Sequence, residues 1–233
     1  MRFVSILGDS ISTYDGFIPE GYSVFYDRNM QKRNGLDSVY DTWWAKVNQA
    51  LRAYLCVNNS YSGSKVTGYD FPAASSKERT GALYTSHYFP DIILVYIGFN
   101  DFANGVPIYK EEIGQFLKKD LGYFIDAYSH MLSELKRNYP NAKIVCATLA
   151  RSAIVHNNSW VFPECYAGEN FENYNQAIRQ ICQKEKCYLA DIGAMNVYYE
   201  TLDGSHPTKS GHNTLYKAWV CCLSKLGILR PQN

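Results

Sequence analysis

The sequence predicts an α/β fold in which a five-stranded parallel β-sheet is covered by helices on both faces. Short apolar runs alternate along the chain with longer segments whose apolar residues recur every three or four positions. Alternation of this kind implies right-handed crossovers and therefore a parallel sheet. No repeat, low-complexity tract or linker interrupts the pattern, so we expect residues 1–233 to form one domain.

Five runs predict buried strands because they are short and apolar. In chain order they are Phe3–Leu7, Tyr54–Val57, Asp91–Ile97, Lys143–Thr148 and Cys187–Asp191. Four segments between and after them predict amphipathic helices. These are Thr42–Ala53, Glu112–Asn138, Asn170–Lys184 and Thr208–Leu226.

Composition excludes several classes of protein. The formal net charge is +1, so we expect no extended electrostatic binding to nucleic acid or to an anionic membrane. No segment is long enough for membrane insertion, and the apolar run after Met1 is too short for a signal peptide. The seven cysteines include no CxxC pair, which favours a reducing compartment. The sequence as written predicts a cytoplasmic protein, with a secreted or periplasmic one open if a signal peptide has been removed.

Loop lengths predict which edge of the sheet holds a site. In parallel sheets, ligands bind beyond the carboxyl ends of the strands. The connections at that end are long, and they comprise residues 10–41, 58–90, 98–111 and 149–169. The connection 139–142 at the opposite end is short. The long loops carry many aromatic residues, and the last of them contains Trp160, Phe162 and Tyr166.

Four polar clusters are predicted to converge at this edge. They are Gly8–Ser12, Asn58–Gly63, Gly98–Asp101 and Asp203–Pro207. Each one alone could be an ordinary turn or helix cap. Their common position at the carboxyl ends of strands, or before the last helix, instead indicates one functional site.

These clusters contain the three parts that acyl transfer to a serine requires. Ser10, at a strand-to-turn junction, is the candidate nucleophile, and His206 is the candidate base because imidazole titrates near neutral pH. Asp203 can hold the tautomer of that ring. The backbone N–H groups of Ser10 and Gly63 and the side-chain amide of Asn100 are candidate donors for an oxyanion hole. Glycine at position 63 would let a substrate carbonyl approach the backbone closely.

The four clusters resemble the conserved blocks of the GDSL/SGNH hydrolase superfamily. Gly8-Asp9-Ser10 is similar to the first block, Asn58–Gly63 to the second, Gly98–Asp101 to the third and Asp203–Pro207 to the last, with Gly211-His212 continuing in the family manner. The resemblance implies a flavodoxin-like three-layer α/β/α sandwich, the SGNH hydrolase fold, with no metal or organic cofactor. It also implies the same roles for Ser10, Asp203, His206, Gly63 and Asn100. Phe99 departs from the pattern, because many relatives have a small hydroxyl residue there.

We therefore expect a serine esterase that forms an acyl-enzyme, with small acyl esters of carbohydrates or similar compounds as substrates. Phe99, Arg79, Asp9 and Asp101 are candidate substrate-binding residues, and Arg151 is a further one. A lysophospholipase or thioesterase with longer acyl preference is an alternative, as is a non-catalytic carbohydrate-binding relative. A metal site at Asp203, His206 and His212 is disfavoured because no further ligand cluster accompanies them.

Overall fold

The computed structural model describes residues 1–109 and 119–229, and it confirms the α/β architecture. The strands are β1 (Phe3–Gly8), β2 (Tyr54–Ser60), β3 (Ile92–Tyr96), β4 (Lys143–Ala147), β5 (Arg151–Ile154), β6 (Tyr188–Ala190) and β7 (Tyr198–Thr201). The α-helices are α1 (Arg28–Arg33), α2 (Trp43–Ala50), α3 (Lys77–Thr80), α4 (Phe99–Ala103), α5 (Phe124–Asn138), α6 (Phe171–Glu185) and α7 (Lys209–Lys225). Single 3₁₀ turns cover Ser10–Ser12, Val39–Asp41 and Gly193–Met195.

Five strands form one parallel sheet in the order β2–β1–β3–β4–β6. Helices flank it, with α2 packed against α7 and α5 against α6. Strands covered on both faces read as continuous apolar runs, and all five residues of β3 are buried. The five predicted strands are confirmed with end shifts of a few residues. The prediction that residues 1–233 form a single domain stays a prediction.

The strand order places a switch point between β1 and β3. The chain moves from β1 to β2 on one side and later continues with β3 on the other. Such a reversal opens a crevice beyond the carboxyl ends of the strands, where ligands bind in open α/β sheets. Ser10 follows β1, Gly63 lies in the turn after β2, and Asn100 follows β3, so the fold brings all three to this crevice.

The long helix predicted over Glu112–Asn138 is confirmed from Phe124 onwards and is wrong over residues 119–123, while its predicted start lies outside the described residues. Residues 110–118 lie outside the described part of the chain, and α5 begins at Phe124. Local hydrogen bonds form a turn just before it, because the Asp120 carboxylate accepts the N–H of Gly122 at 3.0 Å. The Asp126 carboxylate accepts the N–H of Asp120 at 3.0 Å. Side-chain acceptors of this kind compete with helix formation.

A second parallel sheet of two strands, β5 and β7, was not predicted. It matters for the site because β7 leads directly into Asp203–Pro207 and β5 into the long loop that contains Trp160. The hydroxyl of Ser152 on β5 donates to the carbonyl of Gly204 at 2.6 Å, which ties the two segments together. Within the described residues, none of the helices has the length and apolar character needed to cross a lipid bilayer.

Candidate active site

Ser10 lies where β1 ends and the chain turns sharply. The carboxylate of Asp9 accepts the N–H of Ile11 at 3.0 Å and so caps the single helical turn that contains the serine. Glycine is required at position 8, because a Cβ there would lie 2.8 Å from the hydroxyl oxygen of Ser12. The tight turn holds Ser10 in a fixed position at the crevice, with 7% of the residue exposed.

The structure brings Ser10, His206 and Asp203 into one chain of hydrogen bonds. Oγ of Ser10 is 2.9 Å from Nε2 of His206, and Nδ1 of the same ring is 2.8 Å from Oδ2 of Asp203. Oδ1 of Asp203 accepts the backbone N–H groups of Ser205 and His206 at 2.9 Å and 2.8 Å. Because an ionised carboxylate only accepts, Nδ1 carries the proton and Nε2 is left to accept from the serine hydroxyl.

These hydrogen bonds keep Asp203 ionised. Burial opposes its charge, but the hydrogen bonds from the ring and backbone of His206 outweigh burial and lower the pKa of Asp203 to about 2. A carboxylate that stays negative at neutral pH can stabilise a positive charge on the imidazole next to it.

Phe25 covers one face of the His206 ring. The two ring centroids are 3.3 Å apart and the planes are within 8° of parallel. The backbone N–H of Phe25 donates to the hydroxyl of Thr13 at 3.0 Å, and its ring packs edge-on against Tyr26. The Tyr26 hydroxyl donates to the carbonyl of Pro207 at 2.7 Å. The segment from Thr13 to Tyr26 therefore fixes the position of the imidazole.

The turn after β2 is hydrogen-bonded to the other two segments of the site. The N–H of Tyr61 donates to the carbonyl of Gly8 at 3.3 Å, and Nδ2 of Asn100 donates to the carbonyl of Ser64 at 3.0 Å. Gly63 lies between these contacts in the sequence and has a φ of 82°, a backbone angle that residues other than glycine rarely adopt. A Cβ there would meet nothing within 4 Å, so the backbone is open to an approaching group.

Arg79 does not line the crevice, and its prediction as a substrate contact was wrong. The residue is 0% exposed, and burial lowers the pKa of its guanidinium to about 10, which leaves it charged at neutral pH. All five N–H donors are occupied: Nε by the side chain of Asn59, Nη1 by Ser64 Oγ and the carbonyl of Pro72, and Nη2 by the carbonyls of Gly8 and Asn59. Arg79 therefore joins the loops that follow β1 and β2.

Asp101 was also wrongly predicted to bind substrate. It is 0% exposed, and its carboxylate accepts the N–H groups of Val66 and Thr67 at 2.7 Å and 3.1 Å and the Thr67 hydroxyl at 2.8 Å. Burial outweighs these hydrogen bonds and raises its pKa to about 6. Asp9 is only 1% exposed and caps the turn that contains Ser10, so it too lies beneath the crevice and does not line it.

Phe99 and Arg151 take different positions. Phe99 is partly buried and packs edge-on against Phe102 and Phe162. It directly precedes Asn100 in the chain. Its role in substrate binding stays a prediction. The guanidinium of Arg151 makes two hydrogen bonds to Glu164, at 2.6 Å and 2.9 Å, so it anchors the loop after β5.

The described part of the chain contains no cluster of three or more His, Cys, Asp or Glu side chains that could hold a metal ion. His212, which the disfavoured metal site would need, is fully buried. Its Nδ1 accepts the backbone N–H of Trp43 at 3.2 Å. The imidazole of His212 thus contributes to the packing of α7 on α2.

Fold and site together define a class of protein: a three-layer α/β protein with a hydrogen-bonded serine, histidine and aspartate at the switch point of its sheet. The family model for the GDSL-like lipase/acylhydrolases matches residues 2–218, so the chain belongs to this family and is an ester hydrolase. A catalytic triad and an oxyanion hole are typical of the family. A comparison with curated protein sequences found no match.

Solved structures share the fold over nearly the whole chain. A protein from Bacteroides ovatus, named as a GDSL-like lipase, has a TM-score of 0.72 at 24% identity, with 97% of this chain and 99% of that chain covered. One from Bacteroides uniformis, named likewise, has a TM-score of 0.72 at 29% identity, with 96% of each chain covered. A family two carbohydrate esterase from Clostridium thermocellum, in complex with cellohexaose, has a TM-score of 0.58 at 21% identity, with 98% of this chain and 65% of that chain covered.

Proposed function

We propose that this chain is a serine esterase that hydrolyses small acyl esters, above all acetyl esters of carbohydrates, through an acyl-enzyme. The hydrogen-bond chain from Ser10 through His206 to Asp203 carries the proposal, because it has the order and the distances that activation of a serine hydroxyl requires. Two observations support a carbohydrate ester as the substrate: the likeness in fold to the carbohydrate esterase and the aromatic residues Trp160, Phe162 and Tyr166 in the long loop after β5.

In the first half-reaction, Nε2 of His206 accepts the hydroxyl proton of Ser10 as Oγ attacks the ester carbonyl carbon. The carbonyl oxygen becomes an oxyanion, which the N–H groups of Ser10 and Gly63 and the amide of Asn100 receive. The imidazolium of His206 then protonates the departing alcohol oxygen, and the acyl group stays on Ser10. Water attacks the acyl-enzyme in the same way and releases the acid, which restores the serine hydroxyl.

A fluorophosphonate probe tests the nucleophile. We expect one adduct, on Ser10, in the folded wild-type protein and none in Ser10→Ala. Ser12→Ala is the matched control, because its hydroxyl lies in the same turn but accepts from the indole N–H of Trp43 at 3.2 Å. A folded wild-type protein that forms no adduct would instead support a non-catalytic binding relative.

A series of p-nitrophenyl esters tests the acyl preference. We expect kcat/KM to be highest for acetate and to fall as the acyl chain lengthens. Preference for chains of eight or more carbons would overturn the small-acyl proposal and favour a lysophospholipase or thioesterase. Ser10→Ala is the background control in each assay.

A further inference from the structure

Trp160 differs from the other tryptophans of the chain. Trp43, Trp44 and Trp219 are 0%, 2% and 0% exposed, and all three are core residues. Trp160 stays partly exposed in the long loop after β5 while it packs against the edge of the core. A large ring with an apolar face and a polar N–H is well suited to a binding surface when it is left partly in water.

Trp160 completes an aromatic wall that runs from the oxyanion loop to the triad loop. Phe99, next to Asn100, lies 6.4 Å from Phe162 between ring centroids, and Phe162 lies 6.1 Å from Trp160. The indole in turn lies against Gly204, because a Cβ there would be 3.1 Å from Cζ2 of Trp160. We call Phe99, Phe162 and Trp160 the aromatic wall. One end of the wall is the sequence neighbour of Asn100, and the other end contacts Gly204, the residue after Asp203, so the wall connects the two segments that supply these side chains.

Core packing and an ion pair hold the aromatic wall in place. Phe162 is 4% exposed, and its ring packs on Phe102 and Phe171 at centroid distances of 6.0 Å and 4.7 Å. The two hydrogen bonds between Arg151 and Glu164 hold the same loop after the wall. Trp160 therefore needs little ordering when a ligand binds, and this lowers the entropic cost of binding.

The direction of proton transfer assigns this side of the crevice to the departing alcohol. Nε2 of His206 has to lie within hydrogen-bond distance of the alcohol oxygen to protonate it, so the alcohol leaves past the Asp203–His206 segment. Phe25 already covers one face of the imidazole. On the side of β5 and β7, the buried Tyr199 donates its hydroxyl to the carbonyl of Ser205, whereas the indole of Trp160 contacts Gly204 and stays partly exposed.

We propose that Trp160 is a specificity-determining residue that binds the alcohol part of the ester, and that this alcohol is a sugar ring packed against the indole. Sugar C–H groups carry small positive charges and match the negative face of an aromatic ring, while the hydroxyl groups stay in water. This inference rests on the proposed esterase function and adds the recognition of the leaving group.

The kinetic test compares two acetyl esters that share an acyl group and differ in the alcohol: a monoacetylated methyl β-D-glucopyranoside and ethyl acetate. Trp160→Ala is expected to lower kcat/KM for the sugar ester about tenfold, the typical effect of truncating a ring that anchors a ligand. Ethyl acetate is expected to change less than about twofold, since it has no ring to lose. Trp160→Phe is expected to recover most of the loss.

Tyr166→Ala is the matched control, because Tyr166 is an exposed aromatic residue of the same loop whose ring contacts Phe102 and not the triad segment. It is expected to leave both esters unaffected. An equal fall for both esters with Trp160→Ala, or no fall for either, would overturn the inference. If the wild-type protein hydrolyses neither ester and forms no adduct with the fluorophosphonate probe, the proposed function itself is overturned.

Fluorescence gives a readout that does not depend on turnover. Because the other three tryptophans are buried, acrylamide quenching of this protein should report mainly on Trp160. In Ser10→Ala, the intact sugar ester is expected to protect the indole from quenching, and ethyl acetate is not. Trp160→Phe should abolish the protected component. Absence of protection at saturating sugar ester would contradict a sugar–indole contact.

Discussion

The ring of Phe25 lies face to face with the imidazole of His206, 3.3 Å away between centroids and 8° from parallel. The contact restricts the tilt of the imidazole, which the hydrogen bonds to Asp203 and Ser10 alone do not do, because a ring held only at its two nitrogens can still rotate about the line that joins them. Phe25 is therefore a positioning residue for the proposed reaction. In the sequence, Phe25 is one of many aromatic residues in the long loops, and no local pattern distinguishes it.

Phe25→Ala is expected to lower kcat by about 10²-fold with a small change in KM, because a base displaced by a fraction of an ångström fails mainly at the transition state. Phe25→Tyr keeps a planar ring and should retain most of the rate. Steady-state kinetics on p-nitrophenyl acetate measures both. Wild-type kcat in Phe25→Ala would show that the stack does not position the base.

Asn100→Ala is expected to lower kcat by about 10²–10³-fold, the usual effect of removing one oxyanion donor. KM should change modestly, because the donor matters most once negative charge develops on the carbonyl oxygen. Asn104→Ala is the matched control, since its exposed side chain donates to the carbonyl of Asn100 at 2.7 Å without reaching the crevice. A loss of thermal stability large enough to explain the lost rate would assign Asn100 a structural role.

Arg79→Met is expected to lower the free energy of unfolding by about 3 kcal/mol or more, because buried acceptors on two loops lose their donors. Arg151→Met, which removes a partly exposed ion pair, should lower it by about 1 kcal/mol or less. Chemical denaturation of both variants measures the difference. An Arg79→Lys variant with wild-type stability and a raised KM would instead support the contact with substrate that the buried position argues against.

Local patterns in the sequence predicted the five strands of the main sheet and the polar clusters after β1, β2 and β3, because each of these clusters follows a short apolar run. The cluster Asp203–Pro207 was predicted only from its position before the last helix. Burial of Arg79 was not predictable in this way, since its acceptors come from Gly8, Asn59, Ser64 and Pro72, and only the folded loops bring these together. The sheet of β5 and β7 pairs two four-residue strands that are far apart in the chain. The stack of Phe25 on His206 likewise depends on tertiary structure alone.

Asp9 predicts a dependence of stability on pH. Burial raises the pKa of Asp9 from 3.8 to about 7, with the Ile11 N–H bond opposing and the charge of Asp101 adding to the rise. The folded protein therefore binds more protons than the unfolded chain between these two values, so the contribution of Asp9 to stability falls as pH rises through this range. The loss is complete above pH 7, where Asp9 is ionised in both the folded and the unfolded state.

Asp9→Asn keeps an oxygen that can cap the turn but cannot ionise. The difference in free energy of unfolding, Asp9→Asn minus wild type, should be more positive at pH 8 than at pH 5. At pH 5 the aspartate of the folded wild-type protein is still largely protonated, so it carries little charge to lose. Denaturant unfolding at the two pH values, with the difference between the proteins taken at each, measures the effect. Asp15→Asn is the control, because it makes the same change from carboxylate to amide at an exposed position nearby in the chain and should show no such dependence on pH. Because the sign follows from burial of the carboxyl, an equal difference between Asp9→Asn and wild type at both pH values would mean that Asp9 ionises as easily in the fold as in the unfolded chain.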